Sequence, residues 1–161
     1  MKKMLSIAVF LSMALCLCFI TACTTEEEKP ASMVFVDDLA NPTKQYTFND
    51  KFEFTIKYLV INPGTFEAEI AKFKVGDTIS GKILNTDPPK TKWNNDFVGV
   101  AGKMTSSNSG INGALMGLTV KMTQTYEKTG GTISEVTLLL EGEGVAEAAQ
   151  ELMGGTYQRP K

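Results

Sequence analysis

Cys23 is the residue of this chain best placed to do chemistry. It follows Ile20-Thr21-Ala22 at the exit of an N-terminal segment that opens on Lys2-Lys3 and runs almost wholly apolar from Met4 to Phe19. A charged start, an apolar middle and small residues before the exit are the three parts of a secretory signal. The apolar run is short for a transmembrane helix, which needs about 20 residues to cross the hydrocarbon. The polar, acidic stretch after Cys23 fits cleavage better than spanning.

Elsewhere the reactive inventory is thin. The chain has no histidine, and its three cysteines, Cys16, Cys18 and Cys23, all lie at or before position 23. The commonest general base and the commonest transition-metal ligand are therefore missing. Cys- or His-based nucleophilic catalysis and thiolate zinc sites drop out, and no disulfide can staple the rest of the chain. Paired carboxylates or a Ser-Lys pair remain in principle, but no two carboxylates can be placed across a cleft. No enzyme, metal or cofactor is expected.

Ile20-Thr21-Ala22-Cys23 resembles the lipobox of bacterial lipoproteins, an aliphatic residue and two small residues before an invariant cysteine. The resemblance implies diacylglyceryl transfer to the Cys23 sulfur, cleavage after Ala22, and acylation of the new amino terminus. Such an anchor is physically sufficient, because one acyl chain binds a bilayer marginally and two or more hold firmly. Thr24 follows the cysteine, not the aspartate that retains some lipoproteins in an inner membrane. By that sorting rule the chain is expected on the cell envelope, in the outer membrane if the host has one.

Thr24 to Ser32 (Thr-Thr-Glu-Glu-Glu-Lys-Pro-Ala-Ser) has nothing to bury and reads as a self-repelling tether. Extended, its nine residues reach at most ~30 Å. Formal charge is -2, and removal of Lys2 and Lys3 leaves 14 basic against 18 acidic residues. No basic stripe of the kind nucleic-acid binding requires is present.

Five further groups bear on binding. The aromatic face of Phe52, Phe54 and Tyr58 either lines a ligand cavity or is core. Met104, Met116, Met122 and Met153 suit a soft Cu(I) pocket but more often fill core gaps. Trp93-Asn94-Asn95-Asp96 sets an aromatic beside oxygen ligands suited to calcium or carbohydrate, without EF-hand spacing. Asp37-Asp38 reads as a solvated strand end. Gly110 to Gly117 is small and glycine-rich but lacks the Gly-Lys-Ser/Thr ending of a phosphate loop.

Alternation of side-chain character predicts the elements. Met33 to Val36 fits a first strand, and Tyr46 and Phe48 a second, turned at Asn49-Asp50. Phe52, Phe54, Ile56, Tyr58 and Val60 alternate with Lys51, Glu53, Thr55 and Lys57 in a half-buried antiparallel strand. Over 65–75 two readings stand: a strand with a bulge near Ile70, or a short helix capped by Thr65. Thr78 to Leu84 is a strand, 85–96 a polar loop, Phe97 to Met104 a glycine-bent strand, and 106–112 a polar loop. Leu118 to Tyr126 and Ile133 to Leu140 form a hairpin turned at Lys128-Thr129-Gly130-Gly131. Val145 to Met153 switches to helical spacing, with Gly154 as its left-handed cap, and Thr156-Tyr157-Gln158 adds a last strand.

Seven or eight strands with one short C-terminal helix and no βαβ alternation predict a mainly β fold: an antiparallel meander barrel, or a sandwich. The element order, with Gly155-Thr156-Tyr157 as a closing strand, resembles the calycin (lipocalin-like) arrangement, although the Gly-x-Trp of lipocalin first strands is absent. The expected organisation is a signal peptide over 1–22, the lipidated cysteine and tether over 23–32, and one β-rich domain over 33–161. Two functions follow as expectations. One is a lipid-anchored barrel binding a small apolar or amphipathic ligand. The other is an envelope interaction, adhesion or structural lipoprotein with no ligand cavity, whose partner is an envelope protein.

Overall fold

A computed structural model describes residues 31–88, 92–115, 118–141 and 145–161. Eight antiparallel strands follow one another in sequence order and close into a barrel: β1 Ser32–Val36, β2 Lys44–Asn49, β3 Glu53–Tyr58, β4 Thr78–Asp87, β5 Phe97–Ser106, β6 Val120–Thr129, β7 Thr132–Glu141 and β8 Gly155–Gln158. Among the described residues three helical segments accompany them: α1 Phe66–Glu69, α2 Ser109–Leu115 and α3 Val145–Met153. The chain thus builds the meander barrel that its alternation predicts, with a C-terminal helix before the closing strand. Among the described residues no helix is long and apolar enough to cross a membrane.

Period-two alternation sets the inner and outer faces. Phe54, Ile56 and Tyr58 are buried on β3, while Glu53 and Lys57 are exposed. Met33, Phe35, Tyr46, Phe48, Ile79, Ile83, Met122, Val136, Leu138, Leu140 and Tyr157 continue the same inner layer around the barrel. β6 and β7 pair from Lys121↔Glu141 down to Thr129↔Thr132, and Gly130 and Gly131 turn the hairpin at φ 58° and 80°. Two positive φ angles are what a two-residue type I′ turn demands.

The β4–β5 pair bends at two bulges. Asn85 and Thr86 oppose the single Gly99, and Lys103 and Met104 oppose the single Gly81. Asn85 and Lys103 take φ 50° and 52° to accommodate the extra residue. The second bulge returns β5 to an inward phase, so that Ala101 and Met104 are both buried.

Successive strands run in opposite directions, which gives the barrel two unlike mouths. The near rim, where the chain enters at Ser32, carries the 50–52 turn, the 88–96 connection and the Gly130-Gly131 turn. The far rim carries the 37–43, 59–77, 107–119 and 142–154 connections, and with them all three helical segments.

Several expected boundaries shift. The β3 ladder covers only Glu53–Tyr58. Phe52 sits in the turn at φ 60°, and Val60 is 46% exposed beyond the strand. Over 65–75 the bulged strand does not form. Thr65 Oγ1 accepts from the Ala68 amide and starts the single turn α1, after which Phe73 stacks on Tyr58 with ring centroids 4.5 Å apart. The expected 106–112 loop contains the start of α2, where Asn108 Oδ1 accepts from the Gly110 amide at 2.9 Å and Leu115 is buried. The polar loop expected from Asn85 begins later, because β4 runs to Asp87. After α3 the positive φ falls on Gly155, at 134°, not on Gly154.

Candidate functional site

Cys23, the expected signal peptide and the expected tether as far as Pro30 lie outside the described residues, as does Met116. The other candidates fall into three places: the barrel interior and the two rims.

The interior is occupied by the chain's own side chains. Phe54 and Tyr58 point inward and are 3% and 0% exposed, which makes the aromatic face core. β2 and β6 stand opposite each other in the eight-strand circuit, yet Tyr46 Oη donates to Gln124 Oε1 at 2.5 Å. A side chain that reaches across the lumen leaves little of it empty. Phe48 likewise meets Phe97 of β5 at 5.8 Å, and Tyr46 meets Tyr157 of β8 at 5.5 Å. Packing is close enough that β4 and β5 use glycine on the inner face. A Cβ on Gly81 would lie 2.7 Å from the Phe54 ring, and one on Gly99 would lie 2.5 Å from an Ile83 methyl. Met104, Met122 and Met153 are buried in this core. They fill it, and among the described residues no cluster of His, Cys, Asp or Glu is suited to a metal.

One polar chain runs through the interior. Gln124 is fully buried, and an unpaired amide there would cost about 1–3 kcal/mol. Its oxygen accepts from Tyr46, its nitrogen donates to Tyr126 Oη, and the Tyr126 hydroxyl donates to the Trp93 carbonyl at 2.6 Å. All donors point the same way along the chain, and every link is satisfied. Burial pushes the Tyr46 and Tyr126 phenols well above their ordinary value, so both stay protonated. Gln124 was not singled out from sequence. Its signal was there: a polar residue in the inward phase set by Val120 and Met122.

At the near rim, Trp93-Asn94-Asn95-Asp96 folds over the barrel mouth. Trp93 is half-buried against Phe48, 6.3 Å between centroids. Asp96 Oδ1 accepts from the Tyr126 amide at 2.8 Å. Of the groups considered as ligands for calcium or sugar, Asp96 is thus engaged in tying the loop down. A shallow cleft of about 520 Å³ opens beside it, lined by Pro88, Asn95, Asp96, Tyr126 and Lys128.

The far rim is closed by polar contacts to the end of α3. The last carbonyls of a helix have no partner within it, and its C-terminus favours cations. Tyr58 Oη donates to Leu152 O at 2.9 Å, Tyr157 Oη donates to Met153 O at 2.8 Å, and Lys44 Nζ lies 3.3 and 3.4 Å from the carbonyls of Glu151 and Leu152. Lys44 also pairs with Glu67 of α1 at 2.6 Å, both side chains largely buried. Burial alone would raise the Glu67 carboxyl. Hydrogen bonds from Lys44, from its own backbone and from Thr65, with the Lys44 charge, outweigh burial and hold it below the usual range. Desolvation raises Tyr58 and Tyr157 well above the ordinary phenol value, so these hydroxyls remain donors.

Asp37 is not simply solvated. Its carboxylate accepts from the Thr43 and Lys44 amides, at 2.8 and 2.9 Å, and from the Thr43 hydroxyl. Asp38 accepts from the Ala40 and Asn41 amides. Together they shape the 37–43 connection that delivers Lys44. The arrangement as a whole binds and positions its own elements. Compared with known proteins, the chain matches no family model, no curated protein and no solved structure.

Proposed function

We propose that this protein is a lipid-anchored lipoprotein of the bacterial cell envelope that works through its surface, as an interaction or structural module, and carries no ligand inside its barrel. One observation favours this over the ligand-carrying reading: Tyr46 crosses the lumen to Gln124. An internal ligand would have to displace that bond and leave a buried amide and a buried phenol unpaired, at about 1–3 kcal/mol each. Eight-stranded barrels have interiors just wide enough either to be filled or to hold one small molecule, and here side chains occupy the space.

The anchor rests on Ile20-Thr21-Ala22-Cys23. Acylation at Cys23 holds the protein at a membrane by roughly 0.8 kcal/mol per buried methylene. Thr24 after the cysteine favours the outer membrane in a two-membrane host. The test is metabolic labelling with an alkyne-bearing fatty acid, followed by membrane fractionation. Wild-type protein is expected to take up label and sediment with membranes, while Cys23→Ala loses both. Unlabelled wild-type protein in the soluble fraction would end the anchoring reading.

A further inference from the structure

On β6 the inward phase of Val120, Met122 and Gln124 continues to Tyr126 and Lys128, which reach the near mouth half-buried and exposed respectively. The register that pairs Phe97 with Gln124 brings Asn95 and Asp96 alongside Tyr126, and Asp96 Oδ1 accepts from the Tyr126 amide. Two residues of strand, about 6.8 Å, therefore separate the point where the carboxylate is held from the root of the Lys128 side chain. With Pro88 these residues line the shallow near-rim cleft of about 520 Å³.

The lining groups are fixed from behind and keep something to offer. Tyr126 Oη accepts from Gln124 and donates to the Trp93 carbonyl, so what it presents to the cleft is its ring. Asp96 is held through Oδ1, and its Oδ2 has no partner among the described residues. The Asn95 amide closes a turn onto the Lys92 carbonyl at 3.0 Å, and its side chain is exposed. Among the described residues neither Asp96 nor Lys128 is in an ion pair. The cleft therefore holds one carboxylate and one ammonium that do not meet. Other charges nearby stand outside the lining. Asp87 lies on the outer wall in a hollow with Val98, Thr123 and Thr125, Glu127 is outward opposite Glu135, and Lys92 is exposed at the start of its turn.

We infer that this cleft binds a compact zwitterion: a phosphate ester that carries a primary ammonium, presented as a phospholipid headgroup or as the free ester. The phosphate pairs with Lys128. The ammonium donates to Asp96 Oδ2 and the Asn95 side-chain oxygen, and lies against the Tyr126 ring as a cation–π contact. A lone phosphate would also face Asp96, and a lone amine would also face Lys128, so the lining disfavours each. Exposed ion pairs and cation–π contacts are individually weak, and the free ester is held at about millimolar concentration. The membrane source rests on the anchoring reading. The chain enters the barrel at this rim, and a tether of at most ~30 Å between Cys23 and Ser32 turns the cleft towards the leaflet at an effective concentration of about that order.

Trp93, the only tryptophan of the chain, reports from the loop that carries Asn95 and Asp96. In the full chain purified from its host, its fluorescence is titrated with phosphoethanolamine, inorganic phosphate and ethanolamine, and with phosphatidylcholine vesicles lacking or containing phosphatidylethanolamine. A saturable change is expected with phosphoethanolamine, about fivefold tighter than with phosphate or ethanolamine alone. Asp96→Asn keeps an acceptor for the Tyr126 amide, and Lys128→Gln removes an exposed charge. Each should weaken binding about fivefold with circular dichroism unchanged. A change with phosphatidylethanolamine vesicles that phosphatidylcholine alone does not give assigns the headgroup as a source, and a change with the free ester only assigns the soluble one. No saturable change with either source, equal binding of phosphate or ethanolamine alone, or binding indifferent to both substitutions would each overturn the proposal. Membrane fractionation of the host reads the anchor separately. A soluble protein that still binds the free ester would remove the membrane source and leave the site standing.

Discussion

Trp93 and Phe52 at the near rim, and Lys44 and Glu67 at the far rim, close opposite mouths of one barrel by different physics. At the near rim, rings meet rings: Phe48 with Phe52, Trp93 and Phe97 at 5.9, 6.3 and 5.8 Å, and Phe52 with Phe97 at 5.5 Å. Such pairs contribute about 0.5–1.5 kcal/mol each beyond the area they bury, and they are indifferent to pH. At the far rim the groups are ionic or hydrogen-bonded, directional, and aimed at the carbonyls that end α3. The near-rim rings need mainly shape, with the Asp96 and Tyr126 hydrogen bonds holding the loop that carries Trp93. The polar clasp needs each partner in position, and in return it fixes the 59–77 connection in a single arrangement.

The largest effect is expected at the near rim. Phe48→Ala removes the ring shared by three of the four near-rim contacts and should cost about 3–5 kcal/mol in denaturant unfolding. A loss below about 1 kcal/mol would mean that those rings are not one packed unit. Gly81→Ala tests the filled interior from the wall. Its methyl would collide with the Phe54 ring and should destabilise by about 1–3 kcal/mol through overpacking. A barrel with spare volume would accept the methyl without cost.

At the far rim the sharper probe is pH. The folded Glu67 carboxyl is held below its ordinary value of 4.5. Its contribution is therefore complete above that value and is lost as pH falls through the lower folded one. Glu67→Gln should cost about 1–2 kcal/mol at pH 7, as expected for a charged hydrogen bond that is partly exposed. The gap from wild type should close in acid, below the usual carboxylate range. Hydrogen exchange should then show the 59–77 amides opening while the near-rim amides stay protected. A gap that persists in acid would put the clasp's strength elsewhere. The smallest effect belongs to Thr65→Ala, about 0.5–1 kcal/mol for a lost cap. It should be confined to exchange at Phe66–Glu69.

Alternation made the barrel legible, because each strand buries one face and wets the other. Phe54, Ile56 and Tyr58, and the hairpin from Val120 to Leu140, could be read directly. Strand ends could not. Phe52 and Val60 keep the apolar phase beyond the β3 ladder, and only pairing with β4 decides where that ladder stops. The two short helices were also obscure. Residues 109–115 contain two glycines and little helical preference, and the segment forms because Asn108 caps it and Leu115 is buried. Over 65–75 three alternating residues competed with a Thr65 cap, and the cap prevailed where Phe73 found Tyr58. The clasp was least visible. Lys44 and Glu67 are brought together by the closure of the barrel, and nothing local to either announces the other.

Native mass spectrometry of the protein purified from its host, after incubation with a lipid and metabolite extract, decides whether the barrel is filled. A filled barrel predicts the mass of the protein alone, with no added ligand. A reproducible added mass that disappears when Gly81 is changed to Ala, in a variant that still folds, would place a ligand inside the barrel and contradict the account.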